Sequence, residues 1–384
     1  MAGTSVSSRQ FAMVAGEASG DLLASLLIDG LKPRWPDASL VGIGGPQMLA
    51  RGFQSWWPQE KLAVRGYIEV LRHYAEIAGI RRHLRARLLR EWPQLFIGVD
   101  APDFNLDLEA ALRGRGIRTV HFVCPSIWAW RADRIEKIRA AADHVLCIFP
   151  FEPALLAEQG VSASYVGHPL ANVIPMEVDQ RAARRALDLD EDRPVVALLP
   201  GSRRSELRYL ATRFFAAAAR MRRSRPELQF VAPIIPSLRA EAEALLAASE
   251  MAGAIRLVDG RSHQVLASCD VTLIASGTAT LEAALFKRPM VIAYNMNRVS
   301  WHLMHRQQLQ PWVGLPNILC SDFVVPELLQ EAATPQALAD ATLAWLDAPE
   351  RVAALRQRFT QLHGELLRDT PTLCADAIEK VLQA

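Results

Sequence analysis

No two of the five cysteines (Cys124, Cys147, Cys269, Cys320, Cys374) fall in a CxxC pair. That scatter argues against a structural zinc site and for a reducing compartment. No apolar run approaches the roughly 20 residues that a membrane span needs. The first ten residues are polar, and the short apolar run after them ends in Gly16-Glu17-Ala18-Ser19-Gly20-Asp21, so no secretory leader is expected. Neither sign of charge dominates, with 43 Lys+Arg against 41 Asp+Glu, which leaves no global case for nucleic-acid binding. The GxGxxG dinucleotide fingerprint is missing as well. The expectation is a cytoplasmic protein, soluble or attached to a membrane surface. At 384 residues the chain is long enough for two domains with separate cores.

What the chain does have is a recurring strand, turn and helix. Apolar runs at Phe11–Ala15, Leu40–Ile43, Leu95–Val99, Thr119–Val123, His144–Ile148 and Ala163–Val166 read as strands of a sheet covered on both faces. A second set follows at Pro194–Leu199, Leu228–Ala232, Ile255–Val258, Val271–Ala275 and Met290–Ala293. Between the sets the composition turns polar and acidic over Asn172–Arg193, which places a linker near Gly167–Pro175. The fold class is therefore α/β. Residues 1–170 form one domain, 171–345 a second, and 346–384 a tail of amphipathic helices.

Two turns of the second domain suit an anion. In Cys269–Ala293 a strand runs into Ser276-Gly277-Thr278 and a helix beginning near Thr280, and such a helix start offers unpaired N–H groups and the positive end of a dipole. Glu282 is expected in that helix's first turn, near enough to grip a sugar diol beside the anion. Pro200-Gly201-Ser202-Arg203 repeats the arrangement, and arginine adds a planar fork of donors for phosphate oxygens. An ordinary capped βα unit is the alternative for each turn alone. Together they favour the diphosphate and ribose of a nucleotide.

In the first domain, Asp100 stands at the C-terminal end of a strong strand, where parallel sheets bind ligands. Glu17 and Asp21 would repel a diphosphate, so the turn they share with Ser19 suits sugar hydroxyls, while Ser19 or Asp21 could equally cap the helix. Trp128 and Trp130 either meet substrate or close the core, and His168 reads as a turn residue or a ligand contact. The stretch Leu62–Arg90 sets Tyr67, Ile68, Val70, Leu71, Tyr74 and Ile77 before Arg81, Arg82, Arg85, Arg87 and Arg90. This pattern suits either a surface resting on anionic lipid or a domain helix with a solvated basic face. Asp188-Leu189-Asp190 matches a metal-binding DxD but lies in a charged run and reads as a solvated turn. His302 and His305 have no third ligand nearby, so no metal site is expected.

The ordered motifs AGEASGD (15–21), GVDAPDFN (98–105), PSIWAWR (125–131), FPFE (149–152), VGHPL (166–170), LPGSRRSE (199–206), ASGTATLEAAL (275–285) and LPNIL (315–319) give a more specific reading. From Ala15 to about Pro335 the chain resembles the lipid-A-disaccharide synthase family of inverting glycosyltransferases. The resemblance implies a GT-B fold, two Rossmann-like domains facing across a cleft. It implies transfer from UDP-2,3-diacylglucosamine to 2,3-diacylglucosamine 1-phosphate, with no cofactor and no required metal. It also implies peripheral attachment to the cytoplasmic face of the inner membrane. Asp100 is then the candidate base or acceptor-orienting group, and Arg203 and Ser202 stabilise the departing UDP with Ser276, Gly277, Thr278 and Thr280. Glu282 binds the ribose, Asn317 contacts the donor, and Glu17, Ser19 and Asp21 serve from the other domain. Arg65 stands where the family pattern is apolar, which makes the membrane patch more electrostatic. The helical tail is expected to pack on its own first domain or on that of a partner in a homodimer. A related UDP-sugar transferase or epimerase, and a binding protein without chemistry, are the competing readings.

Overall fold

The computed structural model describes residues 9–62, 67–129, 134–297, 301 and 308–384, apart from the side chains of Ala18 and of residues 67–74. The chain divides into two compact units, Met1–Pro169 with Leu366–Ala384, and Leu170–Glu365. Each is built on one parallel sheet.

In the first unit β1 (Gln10–Ala15), β2 (Ser39–Ile43), β3 (Gln54–Trp57), β4 (Leu95–Val99), β5 (Arg118–Phe122), β6 (His144–Cys147) and β7 (Ala163–Tyr165) lie in the order β3-β2-β1-β4-β5-β6-β7. The order reverses between β1 and β4, and such a switch point leaves a crevice at the strands' carboxyl ends. Asp100 leaves β4 at that point and Glu17 leaves β1. Helices α1 (Ala18–Arg34), α2 (Pro46–Leu49), α3 (Tyr67–Glu91) and α4 (Pro102–Arg113) follow the first four strands in turn. The long α3 is amphipathic in its second half. Ile80, Leu84 and Leu88, spaced one turn apart, are buried against Phe104, Leu108 and Leu112 of α4 and against the sheet. Helix α4 starts at Pro102, whose fixed φ is pre-set for a first-turn position.

The tail does not stay together. The helix Pro349–Leu366 belongs mostly to the second unit, where His363 Nε2 donates to the Ala171 carbonyl (2.9 Å) and Nδ1 accepts from Lys287 Nζ (2.7 Å). Only the last helix, Thr370–Gln383, joins the first unit, so the expected start of the tail at 346 moves to 366. It lies on α1, with Arg34 paired to Asp376 (2.6 Å) and Glu379 (3.0 Å). Gly30 permits the approach, since a Cβ there would stand 2.0 Å from the Pro371 carbonyl oxygen. Gly30→Ala is expected to cost about 1–3 kcal/mol through this backbone clash. Urea unfolding checks it, and a midpoint equal to that of the parent chain would mean the last helix sits elsewhere.

In the second unit β8 (Val195–Leu199), β9 (Gln229–Ile234), β10 (Ile255–Asp259), β11 (Val271–Ala275), β12 (Met290–Tyr294) and β13 (Glu327–Leu329) take the order β10-β9-β8-β11-β12-β13. This is the doubly wound order, with its switch point between β8 and β11. Every residue of β8 and of β11 is buried, as their unbroken apolar runs require. The short edge strands β3 and β13 carry no such run and were not legible as strands.

Candidate active site

The second unit has a cavity of about 380 Å³ at the carboxyl ends of β8, β9, β10 and β11. Its floor is the pair of turns at the switch point. After β11, Gly277 takes φ +151°, a value side chains rarely adopt, and no atom lies within 4 Å of where its Cβ would be. The bare backbone therefore leaves a ligand room to approach the start of the helix Thr278–Leu285. After β8, Gly201 at φ +113° turns the chain into the helix Arg204–Ser224. Here the structure adds something the sequence reading missed. The Glu206 carboxylate already accepts from the amides of Ser202 (2.9 Å) and Arg203 (3.2 Å). The signal for it was present, an acid three residues after the N-cap. This turn thus offers a ligand its arginine more than its amides. The Arg203 guanidinium lies 3.2 Å from Glu206, and its side chain is 71% exposed while that of Glu206 is 16% exposed, so the arginine end of the pair is open to solvent.

Ser202, Arg203, Ser276, Gly277, Thr278 and Glu282 all line this cavity. Glu282 stands in the second turn of its helix rather than the first, with His263 Nε2 at 3.7 Å. Pro233, Ile234 and Ile235, which carried no signal in the sequence, supply an apolar wall. Two expected residues are turned away from it. Thr280 is wholly buried and donates to the Gly277 carbonyl (2.8 Å). Asn317 is wholly buried too, its amide nitrogen donating to Val325 O (2.9 Å) and Glu327 (2.8 Å) and its oxygen accepting from Val325 N (3.0 Å). Its motif holds a loop in shape instead of presenting a polar group.

In the first unit, Asp100 (φ +52°) and Ala101 (φ +44°) both occupy the left-handed region, at a cost of about 1–3 kcal/mol each. Two hydrogen bonds hold the turn: Asp100 N donates to Phe122 O (2.8 Å), and the Asn105 amide donates to Asp100 O (2.8 Å). Burial pushes the Asp100 carboxyl above its ordinary range, against the opposing effects of the Ala101 amide and the His121 charge, and the Glu17 charge raises it further. Beneath this turn Glu109 and His121 form a wholly buried pair, 2.8 Å apart. Burial pulls His121 down, but the Glu109 charge and hydrogen bond, with the Asp100 charge, move it above its ordinary value. Gly98 makes room for the pair, since a Cβ there would stand 2.0 Å from Glu109 Oε1.

Glu17 lines a second cavity, about 310 Å³, together with Ala101. Ser19 is exposed on α1. Asp21 is not available to a ligand, because it accepts from the amides of Gly45 (2.9 Å), Gln47 (2.8 Å) and Met48 (3.1 Å) and so caps α2. Trp128 closes the core. Its indole donates to Glu152 (3.0 Å), whose other oxygen accepts from Phe149 N (3.0 Å), and burial pushes Glu152 up to about 7. His168 is buried beside Phe149, and burial lowers it to about 4. Asp188 pairs with Arg256 (2.6 Å) in an exposed turn. Ile77 is half-buried on the first unit's core, while the side chains of Tyr67, Ile68, Val70, Leu71 and Tyr74, and Trp130, His302 and His305, lie outside the described residues. Among the described residues no group of three or more His, Cys, Asp or Glu is placed to hold a metal ion.

A family model described as Lipid-A-disaccharide synthetase matches residues 11–378. The chain is 65% identical over 379 residues to a lipid-A-disaccharide synthase of Albidiferax ferrireducens, covering 97% of each chain. It is 61% identical over 378 residues to one of Verminephrobacter eiseniae, again covering 97% of each. Among solved structures, UDP-GlcNAc 2-epimerase from Neisseria meningitidis bound to UDP-GlcNAc superposes with a TM-score of 0.64 at 11% identity, covering 97% of this chain and 99% of that one. A glycosyltransferase from Rickettsia africae superposes with a TM-score of 0.59 at 8% identity, covering 98% and 97%. At these identities the superpositions speak to the fold, two Rossmann-like domains of the GT-B kind.

Proposed function

Because the chain belongs to the lipid-A-disaccharide synthase family, glycosyltransferases of lipid A biosynthesis, we propose that it joins UDP-2,3-diacylglucosamine to 2,3-diacylglucosamine 1-phosphate. The products are the β-1,6-linked disaccharide 1-phosphate and UDP. The observation that carries the donor half is the composition of the second unit's cavity. An apolar wall at Pro233–Ile235 suits a uracil ring, a bare helix start at Ser276–Thr278 and the Arg203 guanidinium suit a diphosphate, and Glu282 suits the ribose diol. That a fold neighbour is bound to UDP-GlcNAc supports the same reading.

In this reading Asp100 takes the proton of the acceptor's 6′-hydroxyl as that oxygen attacks the anomeric carbon. The glycosidic C–O bond to UDP breaks with inversion. Arg203, the Ser202 hydroxyl and the amides of Gly277 and Thr278 take up the negative charge that grows on the departing diphosphate, the Ser276 amide being already bonded to the Ala293 carbonyl (2.9 Å). The apolar residues of α3 over 67–74 rest on the cytoplasmic face of the inner membrane, where both substrates reside. No helix among the described residues is long and apolar enough to cross it.

The test is UDP release on mixing the chain with the two acylated substrates, with non-acylated UDP-GlcNAc as the competing donor. Release from the acylated donor alone is expected, and equal use of both donors would refute the assignment. Glu282→Ala is expected to weaken UDP binding by about 10–100-fold. It should also remove the preference for UDP over 2′-deoxy-UDP, read by calorimetry. A variant that keeps that preference would take the ribose away from Glu282.

A further inference from the structure

We propose that the first unit grips the acceptor through two neighbouring recesses near Asp100, an apolar one that takes an acyl chain and an arginine-lined one that takes the 1-phosphate. The proposal rests on the reading of Asp100 and the acceptor given above and assigns that acceptor its contacts.

The apolar recess is the cavity of about 310 Å³ at the carboxyl ends of β1 and β4, walled by Val14, Leu62, Ile77, Ala101 and Phe104. Ala101 is the residue after Asp100, which places the recess next to the turn that carries the proposed base. Polar groups are confined to Glu17, Arg81 and Asp103. Against the apolar walls an alkyl chain gains about 0.8 kcal/mol per buried CH₂, while Glu17, Arg81 and Asp103 leave partners for the sugar that carries it.

Ala78 and Arg81 of α3 also line a second recess of about 250 Å³, which makes the two neighbours. Its other charged residues are Arg82, Arg85 and Asp107. Three cations thus face one acid in a concave site. Asp107 holds Arg81 at 2.8 Å, with a further bond from Arg81 to the Asp103 carbonyl (3.3 Å), so the fork is oriented before a ligand arrives. Arg82 and Arg85 are exposed. The basic run of α3 is therefore not one uniform face. Arg87 is spent on Trp56, 3.8 Å over its ring, and on Glu91 (2.7 Å), while Arg81, Arg82 and Arg85 surround the recess. A phosphate monoester carries about −1.5 to −2 charges near pH 7, close to the excess of two arginines over acid in this recess. Apolar space and cationic space meeting at Arg81 match a molecule whose acyl chain and phosphate are joined by one sugar.

The experiment compares acceptors with and without the 1-phosphate at saturating UDP-2,3-diacylglucosamine, in the full chain. The ratio of their kcat/KM values is expected to fall about 10–100-fold in Arg81→Ala, mostly through KM, with UDP affinity held. Arg85→Ala is expected to lower the same ratio and keeps the Arg81–Asp107 pair, so it serves if Arg81→Ala folds poorly. Ala78→Phe, which adds bulk to a wall of the apolar recess, is expected to shift preference toward shorter acyl chains. An unchanged ratio in both arginine variants overturns the proposal. So does loss of binding to phosphatidylglycerol vesicles with acceptor discrimination intact, which would give the arginines to the membrane surface. Asp100→Asn separates this proposal from the base assignment, because loss of the base slows both acceptors alike and leaves their ratio standing.

Discussion

Asp100→Asn is expected to lower kcat by about 10²–10⁴-fold while UDP binds as before. The substitution keeps the shape of the side chain and removes only its capacity to accept a proton. The surrounding turn should survive it, since the bonds that hold φ at +52° run from Asp100 N to Phe122 O and from Asn105 to Asp100 O, none of which uses the carboxylate. The direction of the carboxyl's shift sharpens the test. Burial raises its proton affinity, and a base works only when deprotonated. The acid limb of kcat/KM should therefore lie above the ordinary carboxylate range, with the rate falling as pH drops through the raised value. The same shift has a sign for stability. A carboxyl whose folded value is raised binds more protons folded than unfolded, so it subtracts stability as pH climbs past its unfolded value. Asp100→Asn should then melt no lower than the parent chain at neutral pH. Parental turnover in the variant would remove Asp100 from the base role, and parental UDP affinity with lost turnover would leave the donor site untouched.

Arg203→Ala should be the second large loss, about 10²–10³-fold in kcat at saturating donor. The expectation comes from what the guanidinium does without a ligand. Its own side chain is mostly solvated, while Glu206 keeps its bonds to the Ser202 and Arg203 amides, so little is given up when the guanidinium swings onto a phosphate. A developing dianion attracts it more than the ground-state diphosphate does, which places most of the effect in kcat instead of KM. Arg203→Lys should recover only part, because an ammonium lacks the two-pronged geometry. The Glu206 carboxylate would remain on the Ser202 and Arg203 amides in either variant, so the turn itself is not at stake. Single-turnover measurements of UDP release check the prediction. A loss confined to KM would make Arg203 a binding residue with no share in the departure of UDP.

The two βα switch points were legible in the sequence because each is local: an apolar strand, a small-residue turn and a helix within about ten residues. What each polar side chain does once the chain has folded was less legible. Asp21 read either as a sugar contact or as a cap of its own helix, but its partners are the backbone amides of Gly45, Gln47 and Met48, supplied by another turn. Asn317 stood in an informative motif, and its amide is consumed by Val325 and Glu327. Glu109 and His121 sit on α4 and β5 and find each other only when those elements stack. The edge strands β3 and β13 lack the double-sided apolar run that marks a central strand. In each case the missing information was which donors and acceptors the tertiary fold had already satisfied.

The return of the last helix to α1 also sets an order of assembly. The unit that holds Asp100 is begun first and finished last, because residues 366–384 complete it. On a ribosome adding about 5–20 residues per second, the face of α1 around Gly30 waits on the order of tens of seconds for Pro371. The second unit, by contrast, is one continuous run, Leu170–Glu365. Until residues 366–384 are added, the first unit keeps one face of α1 bare.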